Sequence, residues 1–169
     1  KDLSVLVVIA LVGSIAYILA VHEMKRTAFK LQRKTLAALR GAYQWDSLHV
    51  DSTGLGTQLA EELVEAWGES EVTPVQFTAP AKESLVTGAF RWLAANALRF
   101  PLDESGAALA DEGKSIHRTI TTSGNVSYTA PSIEGSHADR WTALCLALAG
   151  AGEPRAHRGV STSPLVQPQ

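Results

Sequence analysis

Apolar residues crowd the opening of the chain, and their pattern raises its first structural question. Leu3 to Val21 reads LSVLVVIALVGSIAYILAV. A run that long and apolar fits a membrane-spanning helix. Lys25, Arg26, Lys30, Arg33 and Lys34 follow it, as a positive flank would. A secretory signal fits less well, because no basic region precedes the run and no small-residue cleavage site follows it. The same residues also fit a β-hairpin. Val and Ile favour strands, and Gly13-Ser14 divides the run into two strand-length halves with a pair suited to a tight turn. Tyr17 and His22 add polar tips to the second half. The downstream segments favour the hairpin, with strands over 3–12 and 15–23. A single-span anchor over 3–21 is the alternative.

From Thr27 to Tyr43, Phe29, Leu31, Leu36, Leu39 and Tyr43 recur at roughly helical spacing. Lys30, Arg33, Lys34 and Arg40 share the polar face, which solvation explains, with phosphate contact as the alternative. SLHVD, 47–51, reads as a short strand. TQLAEELVEAW, 57–67, reads as a helix with Leu59, Leu63 and Trp67 on one face. A strand follows over 72–78, with Pro74 near its start. A helix over 80–98 opens on proline. RFPLDES is a short extended piece, and 105–115 a short helix weakened by Gly106 and Gly113. HRTITTSGNVSYTAP reads as a hairpin turning at Ser123-Gly124-Asn125. The last helix spans 136–150, with Trp141, Leu144 and Leu148 for the core. The tail beyond Gly152 lacks periodicity, holds several prolines and is expected to be disordered. This order predicts an α/β domain over 1–152, with a tail over 153–169. Its mixed sheet opens with an antiparallel hairpin and gains parallel strands through helical crossovers.

Composition changes this picture in two respects. A hydrophobic fraction of 46% in 169 residues suffices for a real core. A formal charge of −2 means that any nucleic-acid contact must come from local patches and metal ions. The single cysteine, Cys145, lies within an apolar run and cannot form an internal disulfide. It reads as a buried thiol in a protein of a reducing compartment.

Two acids stand out by position. Asp51 ends a strand just before the glycine-containing stretch STGLG, and Asp139 lies near the start of the last helix. In open α/β sheets ligands gather at the carboxyl ends of strands. Two carboxylates meeting there would offer hard oxygen donors for Mg²⁺ or Mn²⁺. Such a site, with two ions roughly 3.5–4 Å apart, can activate a water and stabilise the leaving oxygen of a phosphodiester. Each acid also has a purely structural reading. Asp51 before Ser-Thr-Gly suits an Asx turn, and Ser136 to Asp139 suits a capping box. His137 is a candidate extra ligand or proton-transfer group, with a plain surface histidine as the alternative.

Other chemistries find no motif. GLGTQLAEE lacks the lysine and hydroxyl pair of a P-loop and the third glycine of a dinucleotide fingerprint. No G-x-S-x-G elbow occurs, and one cysteine is too few for a zinc site. His22, His49, His117 and His157 show no ligand spacing.

Taken together, DLSVLVVI, HVDSTGLGTQLAEEL, VQFTAPAKESLV and GSHADRWTALCLALA resemble, in order and spacing, the C-terminal nuclease domain of phage terminase large subunits. The similarity covers roughly residues 2 to 150. It implies an RNase H-like fold and metal-dependent cleavage of double-stranded DNA by three acids, on the first strand, a central strand and the last helix. Asp51 matches the central acid and Asp139 the helix acid. His137 falls where a histidine often precedes the final aspartate. Lys82 falls in a segment from which a DNA contact is expected. The family's first acid precedes the element matched by Asp2, so it falls before Lys1. Asp2 is then a substitute metal ligand, and the chain is expected to be N-terminally truncated, to bind metal weakly and to cut poorly. The resemblance further implies Mg²⁺ or Mn²⁺, two ions, as cofactor. It implies a terminase small subunit and a portal as partners, no membrane, and the host cytoplasm as location. A degenerate RNase H-like module that only binds is the remaining alternative. The hairpin over 117–130 is expected beside the last helix, flanking DNA.

Overall fold

A computed structural model describes residues 3–120, 126–129 and 138–154. The opening apolar run is a hairpin. Strand β1 (Leu3–Val12) pairs antiparallel with β2 (Ile15–Lys25), in a register running from Leu3 opposite Lys25 to Val12 opposite Ile15. The turn needs Gly13, whose φ of 63° lies in the left-handed region. The anchor reading therefore fails for residues 3–21. Among the described residues no helix is long and apolar enough to cross a membrane.

The run mimics a membrane span because both faces of the hairpin are covered. Val5, Val7 and Ile9 face one apolar cluster, and Leu6 and Val8 face another. Alternate residues thus bury in opposite directions, and the polar half of the usual strand pattern disappears.

The remaining elements supply those two layers. Helix α1 (Phe29–Tyr43) leads to β3 (Leu48–Asp51), α2 (Gly56–Trp67) and β4 (Val72–Val75). Leu36 of α1 and Leu63 of α2 join Leu6, Val8, Leu48 and Val72 in one cluster. Helix α3 (Ala79–Ala94), β5 (Leu98–Arg99), α4 (Glu104–Lys114), hairpin β6–β7 (His117–Ile120 and Val126–Thr129) and α5 (Asp139–Ala151) follow. Trp92, Leu109, Trp141, Leu144 and Leu148 from these helices make the second cluster.

Several boundaries differ from expectation for local reasons. Helix α3 stops four residues early because Asn96 turns left-handed and Ala97 N–H closes onto Trp92 O. Helix α5 starts at Asp139 because Ala138 is left-handed at φ 60°. The hairpin β6–β7 has its predicted strands and packs against α3, whereas the last helix was expected beside it. Its turn and the tail from 155 onward lie outside the described residues.

The sheet is mixed but not one continuous ladder among the described residues. β2 also pairs parallel with β5, β3 pairs parallel with β4, and no ladder joins β1 to β3. The glycines that weaken α4 by propensity have a packing reason. A Cβ on Gly113 would collide with the Trp141 ring, so α4 and α5 approach at a distance that only glycine allows.

Cys145 is buried among these helices, and burial pushes its thiol up to about 12. A thiol held protonated and shielded does not react. Native protein is expected to resist alkylation at neutral pH and to react stoichiometrically in denaturant. Mass spectrometry after a timed iodoacetamide pulse measures this, and rapid labelling of the native state would contradict the buried placement.

Candidate metal centre

Helix α5 orients the site. At its start, Arg140 Nε donates to Glu23 Oε1 at 2.6 Å, and Glu23 sits opposite Val5 near the beginning of β1. At its far end, a Cβ on Gly150 would lie 2.8 Å from the His49 ring and 3.3 Å from Ser47 Oγ, at the beginning of β3. The helix therefore runs from the edge where β1 starts to the edge where β3 starts, about 20 Å for 13 residues. Strand β3 starts beside the far end of α5 and ends with Asp51, and α5 begins with Asp139. β1 and β3 consequently run in opposite directions.

A stitched loop holds Asp51. Thr53 N–H donates to Asp51 Oδ1 at 2.8 Å, which is the Asx turn anticipated from sequence. Thr53 Oγ1 accepts from Phe77 N–H at 2.8 Å, and Thr57 Oγ1 donates to Ser52 O at 2.7 Å. Gly56 packs so tightly on the Asp51 carbonyl that a side chain would collide with it. The half-buried carboxylate is thus fixed by its own turn and by the end of β4.

Asp139 occupies the first position of α5, with Ala138 as N-cap and no side-chain cap. The capping-box expectation fails, because it needs Asp139 three residues inside the helix. At the first position the free amides and helix dipole favour the charged carboxylate. Glu112 of α4 takes over the capping task, accepting Trp141 N–H at 3.0 Å. It also accepts from Arg140 Nη1. No sequence pattern links Glu23, Glu112 and Arg140. They come from three elements far apart along the chain, and sequence reasoning missed them.

Burial pushes the Glu23 carboxyl up, but hydrogen bonds and charge from Arg140 and Lys25 outweigh it and leave it below the usual range. Its charged form is therefore favoured by folding. The resulting stability is present above the unfolded value near 4.5 and is lost as pH falls through the folded value below it. Glu23→Gln is expected to flatten that acid limb in urea melts between about pH 6 and about pH 3. Arg140→Ala removes the ion pairs to Glu23 and Glu112 and is expected to cost about 2–3 kcal/mol, less than a fully buried pair because the arginine is partly solvated. A cost below about 0.5 kcal/mol would reduce the cluster to a surface contact.

Lys82 lies exposed in the first turn of α3, its Nζ 5.9 Å from the Phe77 ring centroid. Phe77 N–H bonds Thr53, so this lysine belongs to the same edge as the Asp51 loop. Asp2 and His137 lie outside the described residues. Carboxylates such as those of Asp51 and Asp139 are donors suited to Mg²⁺, which takes few protein ligands and keeps waters or substrate phosphates. Among the described residues no group of three or more His, Cys, Asp or Glu side chains is placed to hold a metal.

A family model described as the terminase RNaseH-like domain matches residues 1–150. No curated protein matches the chain significantly. Among solved structures, the large terminase nuclease of thermophilic phage G20c shares 20% identity at a TM-score of 0.66. That match covers 88% of this chain and 82% of the other. A second structure of that protein, with bound magnesium, gives 22% identity, a TM-score of 0.63 and coverage of 88% and 82%. The large terminase nuclease domain of Thermus phage P74-26 gives 21%, 0.58, and coverage of 86% and 77%.

Proposed function

The chain belongs to the terminase RNase H-like domain family, the nuclease module of phage DNA-packaging terminases, and from that premise we propose that it hydrolyses DNA phosphodiesters with Asp51 and Asp139 as its metal-holding acids. The observation that supports the reading is the course of α5, which begins with Asp139 and ends beside the start of β3, the strand that closes on Asp51. A divalent cation bound there would activate a water and stabilise the leaving oxygen.

The chain's own residues have definite tasks in this reading. The Asx turn fixes one Asp51 oxygen and with it the carboxylate's orientation. Glu112 and Arg140 hold the first turn of α5, and with it Asp139. Lys82, exposed at the same edge, meets a DNA phosphate as a point charge. His137, two residues before Asp139, is proposed as an extra ligand or proton-transfer group, and Asp2 as a further ligand. The cofactor is Mg²⁺ or Mn²⁺, as two ions. The substrate is double-stranded DNA, the partners a terminase small subunit and a portal, and the place of action the host cytoplasm.

A module that binds DNA without cutting is the second reading, favoured by the two-acid donor set among the described residues. Nicking of supercoiled plasmid in Mg²⁺ or Mn²⁺ separates the two. Cleavage that stops with chelator, and in Asp51→Ala and Asp139→Ala, supports the nuclease. Retention of plasmid in a gel shift with no nicking in either metal supports the binding module. Lys82→Ala is expected to weaken DNA binding several-fold and to lower its salt dependence by about one ion. An unchanged salt slope would remove that lysine from the DNA path.

A further inference from the structure

Positive charge is unevenly spread along a chain whose formal charge is −2. Six of its fifteen lysines and arginines fall between Met24 and Trp45, and no Asp or Glu lies among them. The fold divides these six by task. Arg33 pairs with Glu62 of α2 at 2.9 Å and Arg40 with Glu71 at 2.6 Å, so both tie α1 to its neighbours. Arg26, Lys30 and Lys34 are exposed and make no ion pair among the described residues. Lys25 pairs with Glu23 at 3.2 Å. Glu23 also accepts from Arg140, the residue after Asp139, so one shared carboxylate links Lys25 to the first turn of α5. Lys30 and Lys34 belong to α1, which packs through Leu36 in the cluster on the other side of the hairpin. The cations thus wrap round the end of β2.

Two of these side chains stand where a cation is unfavourable to the fold. Arg26 takes φ 50°, in the left-handed region that glycine or asparagine occupies with less strain. Lys30 lies in the first turn of α1, where the helix dipole disfavours positive charge. No acid in that turn offsets it, and the N-cap Ala28 makes no side-chain bond. Solvation of this surface requires neither feature, since a neutral or acidic residue would be hydrated as well. We propose that Lys25, Arg26, Lys30 and Lys34 bind the phosphate backbone of duplex DNA beside the first turn of α5, an inference that rests on DNA being the substrate. Each cation neutralises a phosphate and releases counterions, which gives affinity without reading sequence. Lys30 and Lys34 are one helical turn apart and therefore neighbours on the surface of α1, able to follow one strand. Lys25, through Glu23 and Arg140, joins this track to the segment that carries Asp139.

Duplex binding measured in chelator over a range of salt tests this apart from catalysis. A chain that binds through these cations but never nicks sinks the two-acid reading alone. One that nicks, with binding indifferent to them, sinks this proposal alone. Arg26→Asn and Lys30→Glu are the decisive variants, because each removes positive charge while relieving an unfavourable feature of the fold. Both are expected to melt at or above the wild-type temperature. Each is expected to weaken duplex binding several-fold, and the two together by about 30-fold or more, with the salt slope falling by about two. Arg91→Gln removes one charge at the far end of α5, where Arg91 meets Glu153, and is expected to leave binding unchanged. Wild-type affinity and salt slope in the double variant overturn the proposal. So does an equal loss in Arg91→Gln, which assigns the effect to net charge. A loss of binding that tracks a falling melting temperature assigns these cations to folding and overturns it too, as does a wild-type chain that retains no duplex at low salt.

Discussion

Asp139→Asn is expected to lower metal-dependent nicking by more than about 100-fold, because changes in the outer shell of metal sites alone cost about 10–100-fold. The substitution keeps size and shape and removes only the charge that holds the cation. Its structural cost should be small. The first turn of α5 is held by Glu112 through Trp141 N–H. A favourable charge at a helix start is worth about 0.3–1 kcal/mol. The decisive comparison is therefore activity against melting temperature in the same preparation. Loss of nicking with a near-native melt assigns Asp139 to the chemistry. Parallel loss of both would make it a folding residue. Asp51→Asn should behave alike in activity. Its Asx turn should survive, since the amide oxygen still accepts from Thr53.

Trp141→Ala is expected to cost about 3–5 kcal/mol, the largest stability effect of any single substitution considered for this chain. Trp141 is 2% exposed and sits in the interface of α4 and α5. It stacks at a tilt on Phe90 of α3, ring centroids 5.9 Å apart. Its ring fills the space that Gly113 leaves by having no side chain. Truncation opens a cavity walled by a backbone that cannot easily close it. The loss is a large part of the roughly 5–15 kcal/mol that holds a typical domain together. Its indole Nε1 is buried without a hydrogen-bond partner among the described residues. Trp141→Phe removes that unpaired donor and most of the ring stays, so its cost should be clearly smaller. Equal costs for the two variants in urea denaturation would contradict this packing account.

The sequence is most legible where local chemistry is decisive. Gly13-Ser14 marked where the hairpin turns, a left-handed position in the fold, while the downstream segments were needed to choose the hairpin over a membrane span. The Asx turn at Asp51 was legible for a similar reason: its partner is two residues away. Legibility fades where distant segments decide. Gly113 read as a weak point of a helix, because nothing in sequence says that Trp141 needs its space. The start of α5 was misplaced, since the left-handed Ala138 carries no residue signal. The Glu23, Glu112 and Arg140 cluster was invisible, because pairs 28 and 117 residues apart leave no spacing pattern. The placement of β1 and β3 in the sheet was equally hidden: both strands were predicted with nearly correct bounds, but pattern alone does not show which strands lie side by side.

Diffraction from crystals soaked in Mn²⁺ and recorded at the manganese edge addresses the pairing of the two acids most directly. An anomalous peak within about 2.0–2.3 Å of carboxylate oxygens from both Asp51 and Asp139, lost in Asp51→Asn, is the predicted result. Manganese bound by only one of these residues, or elsewhere on the molecule, would contradict it.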